Sequence, residues 1–271
     1  MDKEIILIDK PKGVSSFFCV SKVRREISDK LGPNEQRKRR KVKVGHAGTL
    51  DPFATGLLIL LVGKGTKRAG EFLKLDKEYE AEICLGKVST TGDPEGSITE
   101  CSLRLPATVP GKQRSLGPSL RASAASCSAA ACATFPETVA DPAQHSRLLP
   151  SIPTLEEISN VVKSFVGEIE QRVPEFSAVK INGKRAYKLA REGKKVEMPV
   201  RKIKIYNIEI LKYEWPMLKI RCSVSSGTYI RQLGMDIGEK LGTGAYLTEL
   251  RRTKIDKYDV KDAEKLYIAE K

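Results

Sequence analysis

Histidine is scarce in this chain of 271 residues, which has only His46 and His145, and its six cysteines (Cys19, Cys84, Cys101, Cys127, Cys132 and Cys222) form no C-x-x-C pair. Structural zinc and iron–sulfur sites need clustered sulfur and nitrogen ligands, so no metal and no cofactor is expected. In a reducing compartment such scattered cysteines serve as small core hydrophobes. Long apolar runs are missing too: the longest, Leu57 to Val62, is far short of the ~20 residues a membrane helix needs. The N-terminal MDKEIILIDK carries acids and no small-residue cleavage site, so a cytoplasmic protein without a signal peptide is expected. No G-x-S-x-G elbow and no G-x-x-x-x-G-K-[ST] loop occurs, and the GKGTK of 63–67 reads as a strand-to-helix turn. Acidic residues are in deficit, 34 against 48 lysines and arginines, and the formal charge of +14 favours a polyanionic partner.

What is present is patterned. EIILI at 4–8 reads as a strand, followed by the turn DKPKG. Ser15 or Ser16 then caps a helix whose apolar positions are Val20, Val23, Ile27 and Leu31. A strand is expected at 57–62 and a short helix over 66–75. KEYEAEICLG alternates, with Tyr79, Ala81, Ile83 and Leu85 opposite Glu78, Glu80 and Glu82, which describes a half-buried strand. TLEE at 154–157 forms a capping box ahead of Ile158, Val161, Val162 and Phe165, with Gly167 ending that helix. Strands follow near 201–213 and 218–225, then a helix from Tyr229 to Leu241 with Gly242 at C′, then a strand and a short helix. Strands outnumber helices without βαβ alternation, so an α+β fold with a mixed sheet is expected. Residues 102–150 are rich in Ala and Ser and poor in charge; they read as a low-complexity insert unable to build a core.

GHAGTLDPFATG at 45–56 sets one carboxylate, Asp51, among Gly45, Gly48 and Gly56, between the basic run Arg37–Lys43 and the apolar strand. Pro52 biases Asp51 towards extended backbone, and the glycines permit sharp turns and close ligand approach. A lone carboxylate beside a cationic surface is a candidate covalent nucleophile. It needs a cation to keep it ionised, for which Arg231 in SSGTYIRQLG is the candidate. An extruded base also needs an aromatic platform, for which Tyr79 and Tyr229 are candidates.

GHAGTLDPFATGLL, DKPKGVSS, KEYEAEICLG, SGTYIRQLG and LTELRRT occur in the order and spacing of one family. The chain closely resembles the TruB-type tRNA pseudouridine synthases over residues 3–100 and 153–262. The resemblance implies isomerisation of uridine 55 in the T loop of tRNA on the pseudouridine synthase α+β fold, a long mixed sheet with flanking helices and a central cleft. It implies that Asp51 is the catalytic aspartate, Tyr79 the tyrosine against the target base and Arg231 the arginine paired with Asp51. Tyr229 and Leu250 then line the pocket, and His46 supports the flipped nucleotides. Residues 172–197 correspond to a mobile RNA-binding thumb, in which Lys180, Lys184 and Arg185 contact substrate. The expected partner is the T arm of tRNA, with no membrane and no metal, and the protein is expected to act as a monomer. One catalytic domain is expected over 1–271, without the full C-terminal PUA domain that the family usually carries. Attack of Asp51 at C1′, attack at C6, and assistance to a glycal route all remain open. The alternatives are an RNA-guided or other-RNA pseudouridine synthase, and a non-catalytic tRNA-binding module.

Overall fold

The computed structural model describes residues 4–30, 42–101, 152–181, 183–194 and 196–266. The basic residues 37–41, the Ala/Ser-rich 102–150 and the end of the chain from 267 lie outside them. The strands in chain order are β1 (Ile5–Lys10), β2 (Val44–His46), β3 (Thr55–Val62), β4 (Lys77–Leu85), β5 (Lys87–Ser89), β6 (Ile98–Glu100) and β7 (Gly167–Arg172). They continue with β8 (Lys180–Ile181), β9 (Lys184–Arg185), β10 (Val200–Glu214), β11 (Met217–Val224), β12 (Ala245–Ile255), β13 (Tyr258–Asp259) and β14 (Glu264–Lys265). The helices are α1 (Ser16–Lys30), α2 (Ala69–Leu73), α3 (Leu155–Lys163), α4 (Ala186–Arg191) and α5 (Ile230–Lys240).

One mixed sheet dominates, in the order β14-β1-β3-β12-β4-β11-β10-β7, with β2 beside β3 and β13 beside β12. Its neighbours are antiparallel except at β1–β14 and β3–β12. The continuous apolar run of β3 follows from burial on both faces. Leu58 and Leu60 pack under Cys19, Val20 and Val23 of α1, while Leu57, Ile59 and Leu61 face Phe72 of α2 and Ile255. β4 alternates as expected: Tyr79, Ala81 and Ile83 join the main core with α3 and α5. Its opposite face pairs with cations from neighbouring strands, Glu80 with Arg221 at 2.9 Å and Glu78 with Lys254 at 3.8 Å. Cys19, Cys84 and Cys222 are buried free thiols.

Of the two candidate caps of α1, Ser15 takes the role, its Oγ accepting from the Phe18 N–H at 3.1 Å. Several other local readings need correction. Thr154 and Glu157 do form the capping box, but α3 ends at Lys163. Gly167 instead opens β7, at φ +119°, a value no helix residue adopts. The expected helix over 66–75 is a 3-10 turn, Gly63–Arg68, followed by the short α2. The short helix near the C-terminal end is a 3-10 turn at Val260–Asp262. Gly45 sits in β2 without a positive φ, so its place in the glycine-rich stretch reflects no backbone demand; Gly48 and Gly56, at +109° and +101°, do meet one.

Candidate active site

The topology puts the segment before β3 over the centre of the sheet. β3 pairs with β12 only at Thr55–Arg251 and Gly56–Arg252, and Arg252 lies directly opposite Tyr79 on β4. Residues 48–51 of the loop, the β12 residues Leu250 and Arg252, and the β4 residues Lys77 and Tyr79 therefore surround one cleft. It encloses about 290 Å³, closed on the other side by Phe176, Ser177 and the start of α5. That is the scale of a small-ligand site rather than of a duplex groove.

Asp51 enters this cleft with its side chain 36% exposed, and one oxygen meets the Arg231 Nε at 2.9 Å. Arg231 is 5% exposed and spends its other nitrogens elsewhere. Nη1 donates to Asp93 Oδ2 at 2.9 Å and the Thr91 carbonyl at 3.0 Å, and Nη2 donates to the Phe176 carbonyl at 2.8 Å. The crowded setting pushes the Asp51 carboxyl above its usual range; Arg231 pulls it back, Asp93 pushes it up again, and Lys10 pulls it down. Of the groups around it, Arg231 does most to favour the ionised form that a nucleophile needs.

The loop that carries Asp51 leaves the sheet, so its backbone groups need other partners. Three buried side chains supply them at alternate residues. Arg252, 1% exposed, donates from Nη2 to the Gly48 carbonyl at 3.1 Å and from Nε to the Leu57 carbonyl at 2.7 Å. Ser16 bonds both backbone groups of Leu50. Lys10, fully buried, donates to the carbonyls of Pro11, Val14 and Pro52 at 2.9, 2.8 and 3.2 Å. Burial lowers Lys10 to about 8. Lys77 is likewise lowered to about 8, first by burial and then by the neighbouring Arg252.

Of the residues expected from sequence, Asp51, Tyr79, Arg231, Tyr229 and Leu250 all line the cleft. Tyr79 is 8% exposed and Leu250 7%. Tyr229 precedes α5, where Gln171 grips its backbone, donating to the Tyr229 carbonyl at 3.1 Å and accepting from its N–H at 2.8 Å. His46 does not line the cleft. It lies on β2 against Leu60, its Nδ1 buried with no hydrogen-bond partner among the described residues, and burial and Arg252 lower it so that it is neutral at pH 7. Lys180, Lys184 and Arg185 stand exposed on the β8–β9 hairpin, outside the cleft. Asp93, Lys10, Lys77, Arg252 and Gln171 have no role that the sequence reveals, and Ser16 only that of a candidate helix cap. The only signal was the place of four of them inside DKPKGVSS, KEYEAEICLG and LTELRRT; Asp93 and Gln171 carried none.

The chain matches the TruB family pseudouridylate synthase N-terminal domain over residues 36–114 and 140–230. It matches the tRNA pseudouridylate synthase B C-terminal domain over 231–269. The chain belongs to the TruB pseudouridylate synthase family. Residues 115–139, skipped by the first match, fall inside the Ala/Ser-rich segment. A tRNA pseudouridine synthase B of Phocaeicola vulgatus is 38% identical over 259 residues, covering 96% of this chain and 88% of the relative. That of Parabacteroides distasonis is 38% identical over 252 residues, covering 93% and 85%. Among solved structures, the crystal structure of a Cbf5-Nop10-Gar1 complex aligns with a TM-score of 0.57 at 26% identity. That match covers 97% of this TruB-family chain and 52% of the other, so the chain spans about half the length of that structural relative. Among the described residues no helix is long and apolar enough to cross a membrane.

Proposed function

We propose that this chain isomerises uridine 55 in the T loop of tRNA to pseudouridine, with Asp51 as nucleophile. The observation that carries the reading is the Asp51–Arg231 pair at 2.9 Å in a cleft lined by Tyr79 and Leu250, within a TruB-family chain. The reaction breaks the N1–C1′ bond, turns the uracil and joins C5 to C1′; a proton leaves C5 and one is gained at N1. No electron acceptor or phosphate donor is consumed. Asp51 attacks C1′ or C6, or assists a glycal route, and Arg231 favours the ionised carboxylate in each case. The ring of Tyr79 and the side chain of Leu250 offer an apolar slot for a base taken out of its stack.

The same reading treats the chain as a single catalytic domain acting as a cytoplasmic monomer. It makes 172–197 the segment that grips the T arm. Phe176 and Ser177 at the cleft, and exposed Lys180, Lys184 and Arg185 beyond them, support this. Phosphate contacts from these cations fix position on the RNA and carry no sequence information themselves. The test is Asp51→Asn, which keeps shape and removes the nucleophile. The variant is expected to fold and to bind tRNA as the wild type does, with tritium release from C5-labelled T-arm RNA abolished. Tritium release at the wild-type rate would end the assignment.

A further inference from the structure

We infer that Ser16 is a positioning residue for the catalytic carboxylate, its hydroxyl standing in for a missing β-strand neighbour beside Leu50. The inference rests on Asp51 being the nucleophile. Ser16 Oγ donates to the Leu50 carbonyl at 2.9 Å and accepts from the Leu50 N–H at 2.8 Å. Two residues of an antiparallel pair exchange just such a donor and acceptor bond. Here one oxygen performs both halves, which a hydroxyl can do and a methyl or a thiol cannot do well. Both partners are out of solvent, Ser16 at 2% and Leu50 at 4% exposed. Water therefore cannot replace the bonds, and losing them leaves two buried backbone groups orphaned.

The location gives these bonds their consequence. Leu50 immediately precedes Asp51, and its two bonds fix the peptide from which the Asp51 side chain projects towards Arg231. Arg252 and Lys10 hold Gly48 and Pro52 on either side, but each only through a carbonyl. Ser16 is the one of the three that holds a residue at both its N–H and its C=O. The sequence accounts for the division of labour within SS: Ser15 takes the capping duty of α1, which leaves the Ser16 side chain free to reach the loop.

Slack at Leu50 lets the Asp51 carboxylate withdraw from Arg231. The charged and titratable groups around it are Arg231 of α5, Asp93 and Glu95 of the segment between β5 and β6, and Lys10 of β1. Tyr79 and Lys77 of β4 and Arg252 of β12 line the same cleft. Of these, Arg231 gives the largest pull favouring the ionised acid, so its retreat shifts Asp51 further upward in pKa.

The experiment compares Ser16→Ala with Ser28→Ala. Ser28 is a buried hydroxyl on the same helix, bonded among the described residues only to the Arg24 carbonyl at 2.8 Å, and serves as a matched control for lost stability. Ser16→Ala is expected to lower the single-turnover rate on T-arm RNA by about 10- to 100-fold, the scale of a small misplacement at a reacting group. Its affinity for the RNA should stay within about twofold, the acid limb of its pH–rate profile should move to higher pH, and Ser16→Thr should restore both. Ser28→Ala should leave rate and pH profile unchanged. The titration midpoint of Asp51, followed by carbon-13 NMR of aspartate-labelled protein, should rise in Ser16→Ala independently of turnover. An unchanged midpoint and acid limb in a folded Ser16→Ala protein overturns the inference. A raised midpoint in a protein whose wild type converts no tRNA would instead overturn the proposed function and keep the positioning role. If Ser16→Ala does not fold, Ser16→Cys, similar in size and weak as donor and acceptor, reads the same two quantities.

Discussion

Arg231 meets Asp51 through Nε alone, and its Nη1 binds Asp93 at the same 2.9 Å distance. One guanidinium thus bridges the candidate nucleophile and a second, 4% exposed carboxylate on another segment. Its last nitrogen holds the Phe176 carbonyl, in the segment proposed to grip RNA. The fork geometry of arginine makes this three-way fixing possible; a lysine would supply charge without direction.

Asp93→Asn tests the bridge. It removes a like charge from beside Asp51 and a partner from Arg231. The plateau rate should fall by about 10- to 100-fold, because Arg231 is no longer held in place for Asp51. The acid limb should move the opposite way, to lower pH, since Asp93 raises the Asp51 carboxyl. Tritium release measured across pH reads both effects, and an unaltered plateau would show that Arg231 is fixed by Phe176 and Thr91 alone.

Gly56→Ala tests the close approach of β3 to β12. A Cβ at Gly56 would lie 2.3 Å from the Arg252 carbonyl oxygen, at a φ of +101° that disfavours any side chain. The obstacle is backbone in the centre of the sheet, so no side chain can move aside. A loss of about 3 kcal/mol or more is expected, read as a lower urea midpoint or as insoluble protein. Gly45→Ala, with its nearest neighbour atom at 4.0 Å, should be tolerated.

The sequence showed most of the frame because periodicity reports burial directly. β3 was an apolar run and is buried on both faces, and β4 alternated and has one face in the core. Asp51, Arg231, Tyr79, Tyr229 and Leu250 were legible through ordered motifs, and they share one cleft. Asp93 was not, since an acid in a TTGDPEG turn has no periodicity and finds its partner only through tertiary contact. Lys10 and Arg252 were hidden for the opposite reason. In a chain of net charge +14, a buried cation cannot be told by letter from the many solvated ones. The end of α3 was misplaced because a glycine with positive φ marks a strand entry as readily as a helix exit.

The hairpin cations are expected to act through phosphates. Lys180, Lys184 and Arg185 are exposed, so changing each to Gln should cost little stability. Each lost contact should reduce the slope of log affinity against log salt by about 0.7 to 0.9. Filter binding of tRNA across a salt series measures this, and an unchanged slope in the triple variant would remove the hairpin from the RNA interface.

Lys77 should give the protein a measurable alkaline signature. Its amine donates to the carbonyls of Leu73 and Leu75, yet burial and Arg252 bring it down to about 8. In the unfolded chain the same group titrates at about 10.4. Between those two values the unfolded state holds more protons, so this residue makes stability rise with pH from about 8 to about 10. Below about 8 both states are protonated, and the cost of burying the cation is present in full. Lys77→Met leaves the two carbonyls unpaired, so its absolute stability is a poor guide, but its pH dependence is not. Urea midpoints of wild type and Lys77→Met should diverge across this window, with the wild type gaining relative to the variant as pH rises. Lys10 titrates in the same range in both proteins and cancels in the comparison. Parallel curves from about pH 8 to about pH 10 would mean that Lys77 keeps an ordinary pKa, its two carbonyl bonds fully offsetting burial and the charge of Arg252.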